Sequence, residues 1–418
     1  AEKTSFNEVT AHLDPGGSFY LYLSTEQWLN HLSGNISDFR QLFASIPDMS
    51  AKERANVDKA FNLITSVVKD SGVEEVSGFG MSSIALEKGF YHNVAMVHHY
   101  QGQGSGFIWN LLGSKAHELT GLELLPTNTA MATFSDVDIP LLWKVIQKEV
   151  KESDLPQVQA LMDKLPANFE KATGLNLEKV LDSLGGEFGF AITLDESKMI
   201  PIPLPTKEQL QIPEPGVVIV VKVKDDTIFD RVDAALKNGG KLPVTSVDTN
   251  GLKMRTVTIP LPLPIQLRPT IATSKGYLFI ASSDALIQDV LAVKDGQKPG
   301  LTSTEEFKRL SKDVPTEGNQ FCYVSQRFGQ TIMQIQKQAM EMNPKFRAGR
   351  SKLFQSFLQP NKAKFAYSVS ADTDEGWLTT GNGNQNAAIV LAVVPAAMAG
   401  MMAAIAVPNF VKARATSQ

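Results

Sequence analysis

The chain ends in a long uncharged apolar run, AAIVLAVVPAAMAGMMAAIAV, which extends from Ala387 to Val407. Because an α-helix rises about 1.5 Å per residue, a helix of this length would reach about the thickness of the hydrocarbon core of a bilayer. Pro395 and Gly400 interrupt the run, and membrane helices tolerate both residue types better than soluble helices do. The sequence therefore predicts a transmembrane helix over residues 387–408; the alternative is a buried hairpin of a soluble core.

Short flanking segments orient this predicted helix. An uncharged linker, residues 381–386, precedes it, and Lys412 and Arg414 follow it in a tip of residues 409–418. Because cytoplasmic flanks carry the excess of basic residues, the tip is predicted to lie in the cytoplasm. The chain begins at Ala1 with a polar stretch, as after cleavage of a signal peptide, although a trimmed chain would begin in the same way. We therefore expect inner-membrane anchoring, with an exported body in the periplasm and membrane lipids as a partner.

The stretch AAIAVPNFVKARATSQ resembles the membrane helix of type IV pilins and type II secretion pseudopilins. The matching positions are Pro408, Asn409, Phe410, Lys412 and Arg414. In those proteins the helix lies at the N-terminus, behind a glycine that is cleaved and ahead of a glutamate, whereas Asn386 and Leu391 occupy these positions here. The resemblance implies an anchor of pilin type that contacts pilus or secretion components, without the family's cleavage and assembly.

Composition argues against several classes of protein. The 418 residues suffice for one large core or for two to three smaller ones, and a hydrophobic share of 43% argues against global disorder. A net charge of −4 gives no general attraction to nucleic acid. Cys322 is the only cysteine, so neither an intrachain disulfide nor a site with several thiolates can form. We expect no cofactor and no nucleic-acid partner.

A weak internal repeat organises the body of the chain. Its three copies are LDPGGSFYLYLS (residues 13–24), LPTNTAMATFSD (residues 125–136) and VPTEGNQFCYVS (residues 314–325). Each copy has a turn with proline and an alternating strand, and then ends on Ser24, Asp136 or Ser325, residue types that begin helices. Paired strands with glycine-containing turns follow each helical stretch. The pattern predicts three strand–helix–hairpin units, the middle one enlarged.

Because hairpins dominate, the predicted fold class is α+β, with mainly antiparallel sheets and helices, plus the C-terminal transmembrane helix. The predicted organisation is a first unit over 1–124, an enlarged middle unit over 125–313, a third unit over 314–380, and then the linker, the helix and the tip defined above. Residues 181–330 resemble a family of exported bacterial proteins that is catalogued only as a domain of unknown function. The stretches that carry this resemblance are LGGEFGFAI, PGVVIVVKVKD, GYLFIASSDALIQDVL and VPTEGNQFCYVS. The resemblance implies architecture and export but names no reaction.

Two proline-rich segments, IPIPLP (residues 200–205) and IPLPLPI (residues 259–265), are the first candidate for function. Prolines at alternate positions remove the backbone donors along one side, so each segment must form an edge strand or an extended arm. The intervening apolar residues are Ile202, Leu204, Leu261, Leu263 and Ile265. Either the two arms pack on each other, or these residues line an apolar groove for a lipid or a partner chain.

A basic stretch is the second candidate. No acidic residue occurs between Met342 and Ala371, a region that contains Lys345, Arg347, Arg350 and Lys352. These side chains could bind anionic lipid headgroups near the anchor, or they could form a solvated helix face.

Other residue patterns point to no chemistry. His92, His98 and His99 share one predicted strand, but His92 and His98 are about 20 Å apart on an extended chain, too far to share a metal ion. GQGSGF (residues 102–107) lacks the lysine of a phosphate-binding loop, and DTDEG (residues 372–376) is too short for a calcium loop.

Three functions therefore remain open. The first is a non-enzymatic scaffold or accessory protein of the cell envelope, linked to pilus or secretion machinery through its anchor. The second is a carrier or chaperone for lipids or other apolar ligands that uses the proline-rich arms. The third is an enzyme whose site assembles from residues distant in sequence. We expect the first, with no catalytic and no metal-binding residues.

Overall fold

A computed structural model of the chain describes most of the body. The described residues are 4–26, 29, 32–44, 50–203, 209–239, 243–249, 251–259, 268–342 and 363–386. The predicted transmembrane helix and the basic tip lie outside these ranges. None of the helices within the ranges combines the length and the hydropathy that crossing a bilayer requires.

Helices and strands alternate in groups along the described chain. The helices are α1 (Ser5–Ala11), α2 (Leu32–Ala44), α3 (Ala51–Ser71), α4 (Phe107–Leu111), α5 (Ile139–Glu152), α6 (Pro156–Thr173), α7 (Leu177–Ser183), α8 (Thr227–Gly239), α9 (Asp284–Lys294), α10 (Glu305–Leu310) and α11 (Gln326–Met342). The strands are β1 (Phe19–Ser24), β2 (Val76–Glu87), β3 (Phe90–His99), β4 (His117–Glu118), β5 (Thr129–Asp136), β6 (Leu184–Pro203), β7 (Gln209–Val223), β8 (Val244–Thr249), β9 (Leu252–Val257), β10 (Thr270–Ser274), β11 (Tyr277–Ala281), β12 (Glu317–Gly318), β13 (Gln320–Val324), β14 (Ala366–Thr373) and β15 (Gly376–Gly383).

One large sheet contains thirteen of these strands, in the order β1-β2-β3-β15-β14-β13-β5-β6-β7-β11-β10-β9-β8. All of the pairings given for it are antiparallel, from β1 with β2 at one edge to β8 with β9 at the other. The short strands β4 and β12 form a separate pair. The prediction of an α+β fold with a mainly antiparallel sheet is confirmed for the described part of the chain.

The order of strands groups the sheet into neighbouring sets. Strands β1, β2 and β3 are adjacent, as are β5, β6 and β7, and as are β13, β14 and β15. In each set a single strand is followed by helical chain and then by a hairpin. The set that comes last in sequence lies between the other two, and β8 to β11 extend the sheet beyond β7. The domain boundaries proposed from the sequence stay a prediction.

Of the three residues predicted to begin helices, Ser325 does so, and Asp136 and Ser24 do not. Ser325 Oγ accepts a hydrogen bond from Phe328 N–H and begins α11. Asp136 does not begin α5, because it is the last residue of β5 and pairs with Glu187 of β6. Instead, Asp138 begins this helix, and its Oδ1 accepts from Leu141 N–H at 2.8 Å. Ser24 is the last residue of β1, and the next described helix begins only at Leu32.

The largest core lies on one face of the sheet. Phe134 of β5 stacks on Phe321 of β13 with 5.1 Å between ring centroids. Helices α9 and α10 close this core with Ile287 and Phe307, both of which are buried. A second core lies around Trp109, against β3 and α3. The sheet is therefore covered on both faces along part of its length.

The described part of the first proline-rich segment, residues 200–203, lies in a long hairpin. Strand β5 pairs with β6 only as far as Thr193, and β11 pairs with β7 only from Val218. Beyond these points β6 and β7 continue to pair with each other, and Pro201 lies opposite Gln211. Residues 194–203 and 209–217 therefore form a two-stranded arm.

Candidate functional site

Three large apolar side chains lie side by side on one face of the sheet, and we call Phe190, Ile219 and Ile280 the sheet-face strip. Phe190 of β6 lies opposite Ile219 of β7, which in turn lies opposite Ile280 of β11. Ile219 and Ile280 are 41% and 44% exposed. Opposite side chains of an antiparallel pair are about 5 Å apart. The strip therefore presents adjoining apolar side chains to solvent.

The strip is exposed because helix α8 covers only the adjacent part of this face. Phe229 of α8 packs in a buried cluster with Leu278, and Val221 packs against the same cluster. Leu278 and Val221 lie two residues from Ile280 and Ile219, and therefore on the same face of their strands. The cover provided by α8 thus ends next to the strip. Adjoining apolar side chains that stay exposed are typical of surfaces that bind a partner.

A buried histidine connects the N-terminal helix to the sheet. His98 on β3 is fully buried; its Nδ1 lies 2.6 Å from Ser77 Oγ on β2, and its Nε2 lies 3.5 Å from Glu8 Oε2 on α1. Burial lowers the pKa of His98, against the attraction of the nearby carboxylates of Glu8 and Glu375. The imidazole is therefore neutral at pH 7.

This arrangement contains a serine, a histidine and a carboxylate in line, which are the groups of a hydrolytic triad. A triad serine must expose its Oγ to the substrate carbonyl, but Ser77 is only 2% exposed. Ser77 Oγ also lies 3.3 Å from the carbonyl oxygen of His98, to which it can donate. We therefore interpret the three residues as a brace between α1 and the sheet.

Further contacts around α1 strengthen this brace. His12 Nε2 lies 2.8 Å from Glu375 Oε2, in the turn between β14 and β15. The hydroxyl of Tyr100 donates to Glu26 Oε1. Burial, together with this hydrogen bond, raises the pKa of Tyr100 to about 12. The acidic turn DTDEG thus contacts His12, the residue that follows the N-terminal helix.

A second histidine, His117 on β4, pairs with Asp136 at the end of β5. His117 Nε2 lies 2.7 Å from Asp136 Oδ2, and His117 Nδ1 lies 2.9 Å from the carbonyl oxygen of Glu118. A carbonyl only accepts, so Nδ1 donates to it, and Nε2 can donate to Asp136 only when the ring is protonated. Burial opposes protonation, but the two hydrogen bonds outweigh it and raise the pKa of His117. The geometry thus favours an imidazolium–carboxylate pair.

Asn319 and Glu187 enclose this pair. Asn319 Nδ2 donates to Asp136 Oδ2 at 3.0 Å and to the carbonyl oxygen of Lys115 at 2.8 Å. Glu187 is 6% exposed, burial raises its pKa, and Thr120 Oγ1 donates to its Oε2 at 3.2 Å. The enclosed space measures about 10 Å³, which is room for about one water molecule. The cluster therefore links β4, β5, β6 and the residue before β13.

Asp372, at the end of β14, adjoins this cluster. Its backbone N–H donates to Asn319 Oδ1 at 2.8 Å. Burial is the main cause that raises the pKa of Asp372 to about 6, and the charge of Asp374 adds to the rise. The fold thus holds a carboxyl group whose charged form is less favourable in the folded protein than in the unfolded chain.

We expect Asp372→Asn to stabilise the protein at pH 7 and to change little at pH 4. A carboxyl group with a raised pKa binds its proton more tightly in the folded state than in the unfolded chain. Between about pH 4, the ordinary value for Asp, and about pH 6, stability therefore falls as the pH rises. The melting temperature at both pH values, measured by calorimetry, checks this. Asp374→Asn should retain most of the pH dependence, and a melting temperature of Asp372→Asn at or below the parent's at pH 7 would contradict the assignment.

A larger cavity of about 390 Å³ lies at the N-terminus of α11 and is lined by polar side chains such as Glu196. Glu306 Oε1 accepts from Gln326 N–H at 2.6 Å. Arg327 Nη2 donates to the carbonyl oxygens of Thr127 and Thr129 at 2.8 and 2.9 Å. Because its lining is mostly polar, the cavity is suited to water and small polar molecules rather than to an apolar ligand.

The three histidines singled out from the sequence do not converge. His92 Nδ1 lies 2.7 Å from Asn382 Oδ1, His98 faces α1, and the ring of His99 packs edge-on against Trp109. Within the described ranges, no group of three His, Cys, Asp or Glu side chains is placed to hold a metal ion.

The glycine-rich stretch GQGSGF has a packing role. A Cβ on Gly104 would lie 2.6 Å from His99 Nε2, and a Cβ on Gly106 would lie 2.2 Å from both the Cα and the N of Gly72. The loop thus needs glycine because it crosses the end of α3 with the two backbones in contact.

Most other residues singled out from the sequence are not described. The backbone of Ile202 lies in β6 opposite Leu210, and its side chain is not among those that the structure describes. The remaining positions lie outside the described residues: Leu204, Leu261, Leu263, Ile265, Lys345, Arg347, Arg350, Lys352, Pro395, Gly400, Pro408, Phe410, Lys412 and Arg414. Their proposed roles as groove, headgroup site, anchor and tip stay predictions.

No pattern in the sequence marks the sheet-face strip or either of the two acid–histidine clusters. In PGVVIVVKV, apolar residues occupy both faces of β7, so no alternation marks Ile219 as exposed. Glu8 and His98 are ninety residues apart, and His117 and Glu187 are seventy apart, so only the fold brings them together.

Comparison with known proteins gives one match. The sequence model of a family described as "Protein of unknown function (DUF3352)" matches residues 110–357, more than half of the chain. Neither a curated protein nor a solved structure matches.

Proposed function

We propose that this chain, which belongs to the DUF3352 family of proteins of unknown function, is a non-enzymatic scaffold or accessory protein of the cell envelope. Its body is exported to the periplasmic side and anchored by residues 387–408, and it binds a partner protein through the sheet-face strip. The partner is a component of the envelope, such as the pilus or secretion machinery that the pilin-like anchor suggests.

The observation that carries this proposal is the exposure of Ile219 and Ile280 in adjacent strands. Completely burying a side chain of this size is worth about 2 kcal/mol. Each is a little under half exposed, so together they offer about 2 kcal/mol to a partner that covers them. Phe190, half-buried beside them, enlarges the contact area.

The shape of the strip favours a protein over a lipid. Small apolar ligands bind in concave pockets that bury most of their surface, whereas the strip lies on the face of a sheet. The cavity at α11 has a polar lining. A carrier function that uses the proline-rich arms remains the alternative.

The buried clusters support a role without catalysis. Ser77, His98 and Glu8 resemble a catalytic triad in kind, but the serine is buried. His117 binds Asp136, and Asn319 donates to the same carboxylate, so this cluster ties strands together. These groups act in folding the body.

One labelling experiment tests both export and partner binding. Single cysteines replace Ile280 on the strip and, as a matched control, Ile64 on α3, which is 36% exposed. Burial raises the pKa of the native Cys322 thiol, so it reacts slowly, because the thiolate is the reactive form. A membrane-impermeant maleimide is applied to intact spheroplasts and to purified, detergent-solubilised protein.

We expect Ile64→Cys to react equally in both samples, and Ile280→Cys to react at least fivefold more slowly in spheroplasts, because the partner covers it. Failure of both variants to react until the cells are lysed would contradict export. Equal reaction of Ile280→Cys in both samples would contradict the binding surface. Native mass spectrometry of the purified protein tests the alternative, since a reproducibly bound lipid is expected only of a carrier.

A further inference from the structure

The two edges of the large sheet differ in how they are protected. An edge strand presents unpaired backbone groups that can bind another strand, and most proteins protect such edges with charges or prolines. At one edge, β8 follows Pro243 and carries Asp248, whose carboxylate binds Arg255. At the other edge, β1 reads FYLYLS, with neither charge nor proline. Only the β1 edge is thus open to pairing on sequence grounds.

Backbone groups of β1 point away from the sheet at alternate residues. Thr25 N–H donates to the carbonyl oxygen of Ser77, in register with the pairing of β1 and β2. Because hydrogen-bonding direction alternates along an antiparallel strand, the backbone groups of Tyr20, Tyr22 and Ser24 face outward. Within the described residues, β2 is the one strand that pairs with β1.

Exposed apolar side chains flank this edge on both faces of the sheet. On the face covered by α1, Tyr20 is 43% exposed and Phe6 of α1 is 52% exposed, and the Phe6 ring lies edge-on to Tyr22 at 5.1 Å. On the opposite face, Leu23 is 47% exposed. A strand added at this edge would cover apolar surface above and below the ladder.

A second copy of β1 satisfies these requirements. Opposite residues of an antiparallel pair share a face, so a two-fold axis perpendicular to the sheet pairs tyrosine with tyrosine on one face and leucine with leucine on the other. Two registers do this: the axis passes either through Leu21, with Tyr20 opposite Tyr22 of the second copy, or through Tyr22, with Leu21 opposite Leu23. Both continue the antiparallel order found throughout the sheet.

We propose that the β1 edge, residues 19–24 with Phe6, joins two copies of this chain into a two-fold symmetric dimer with one continuous sheet. A six-residue edge buries less than the area of a standard protein interface. The dimer is therefore reversible and depends on protein concentration. This proposal is independent of the sheet-face strip, which lies on the other half of the sheet.

The test is a cysteine scan of the full chain in detergent. Each residue from Phe19 to Ser24 is replaced in turn by cysteine in a Cys322→Ala background, and disulfide-linked dimers are quantified after mild oxidation. We expect the yield to peak at Leu21 or Tyr22, whichever lies at the axis, and to fall on both sides by at least fivefold. Val247→Cys on β8, the opposite edge, supplies the background. Yields that are flat across β1, or that do not exceed this background, would overturn the proposal.

A charge substitution gives a second measurement. Leu23→Lys places a charge opposite an apolar residue of the second copy, Phe19 in the first register or Leu21 in the second. It should raise the dissociation constant of the dimer at least tenfold in analytical ultracentrifugation. Val244→Lys, at a residue that is 36% exposed on β8, is the matched control and should leave the constant unchanged. Because Leu23 is about half exposed, the melting temperature of the variant should stay close to that of the parent at concentrations where the parent is monomeric. This measurement separates loss of pairing from loss of folding. An unchanged dissociation constant for Leu23→Lys would count against the dimer.

Discussion

Replacing Gly106 by alanine should lower the free energy of unfolding by about 3 kcal/mol, the upper end of the cost of overpacking. The added Cβ would lie 2.2 Å from the Cα and N of Gly72 and 2.3 Å from the carbonyl carbon of Ser71. All of these are backbone atoms, so no side-chain rotation relieves the overlap. The end of α3 must separate from α4, which also loosens Trp109, whose Nε1 donates to the carbonyl oxygen of Gly72. Urea denaturation followed by tryptophan fluorescence measures the loss.

Gly34→Ala is the matched control for this prediction. Gly34 lies in helix α2, and an added Cβ there meets no atom within 4 Å. Alanine is favoured over glycine inside a helix by about 0.5–1 kcal/mol, so this variant should be slightly more stable than the parent. If the two alanine variants unfold at the same urea concentration, the close contact between Gly106 and the end of α3 is not the reason why glycine occupies position 106.

Replacing Arg255 by alanine should cost about 3 kcal/mol. Arg255 is 4% exposed, and its guanidinium donates to Asp233 Oδ1 at 2.7 Å and to Asp248 Oδ1 at 2.6 Å. Removal of one partner from a buried ion pair leaves the other charge without compensation, at a cost of about 3–5 kcal/mol. The lower figure applies because Asp248 is partly exposed and regains water. Arg255→Lys should recover only part of the loss, since a lysine cannot reproduce the paired bonds.

Lys237→Ala tests whether burial is the cause. Lys237 binds the same carboxylate, with Nζ 2.8 Å from Asp233 Oδ2, but its side chain is 65% exposed. An exposed ion pair of this kind within a helix contributes about 0.3–0.5 kcal/mol, so this variant should be close to the parent. Arg255 lowers the pKa of Asp233; its contribution is therefore complete above about pH 4 and is lost as Asp233 becomes protonated in acid. An equal loss in both variants, or a loss in Arg255→Ala that does not shrink in acid, would contradict this explanation.

Local pattern was sufficient to predict the elements of the fold but not their order in the sheet. The alternation in VPTEGNQFCYVS predicts β13, and the glycine in DTDEG predicts the turn between β14 and β15, as the structure has them. No local sequence pattern indicates that β15 pairs with β3 or that β13 pairs with β5. Those pairings depend on which edges of the units bury most apolar surface together, which is a property of the whole chain.

The candidate site was harder to predict for a related reason. Ile219 and Val221 are equivalent in sequence, two residues apart in one apolar strand. Only the position of α8, which covers Val221, makes Ile219 the exposed one. Likewise, His98 reads as one of three histidines in a strand, and its neutral state follows from burial beneath α1, an element far away in the chain. Exposure and charge at single residues are thus decided by tertiary packing.

The order of strands has a consequence for how the molecule is made. Strands β13 to β15 lie between the set that begins with β1 and the set that begins with β5, yet they are the last of these to leave the ribosome. Until β13 to β15 are synthesised, β3 and β5 each expose unpaired backbone groups along one edge. The sets of strands that contain β3 and β5 cannot yet form one sheet. Such late, long-range pairing slows folding and exposes nascent chains to aggregation. A chaperone that keeps the first three hundred residues from aggregating would therefore protect this protein during its synthesis.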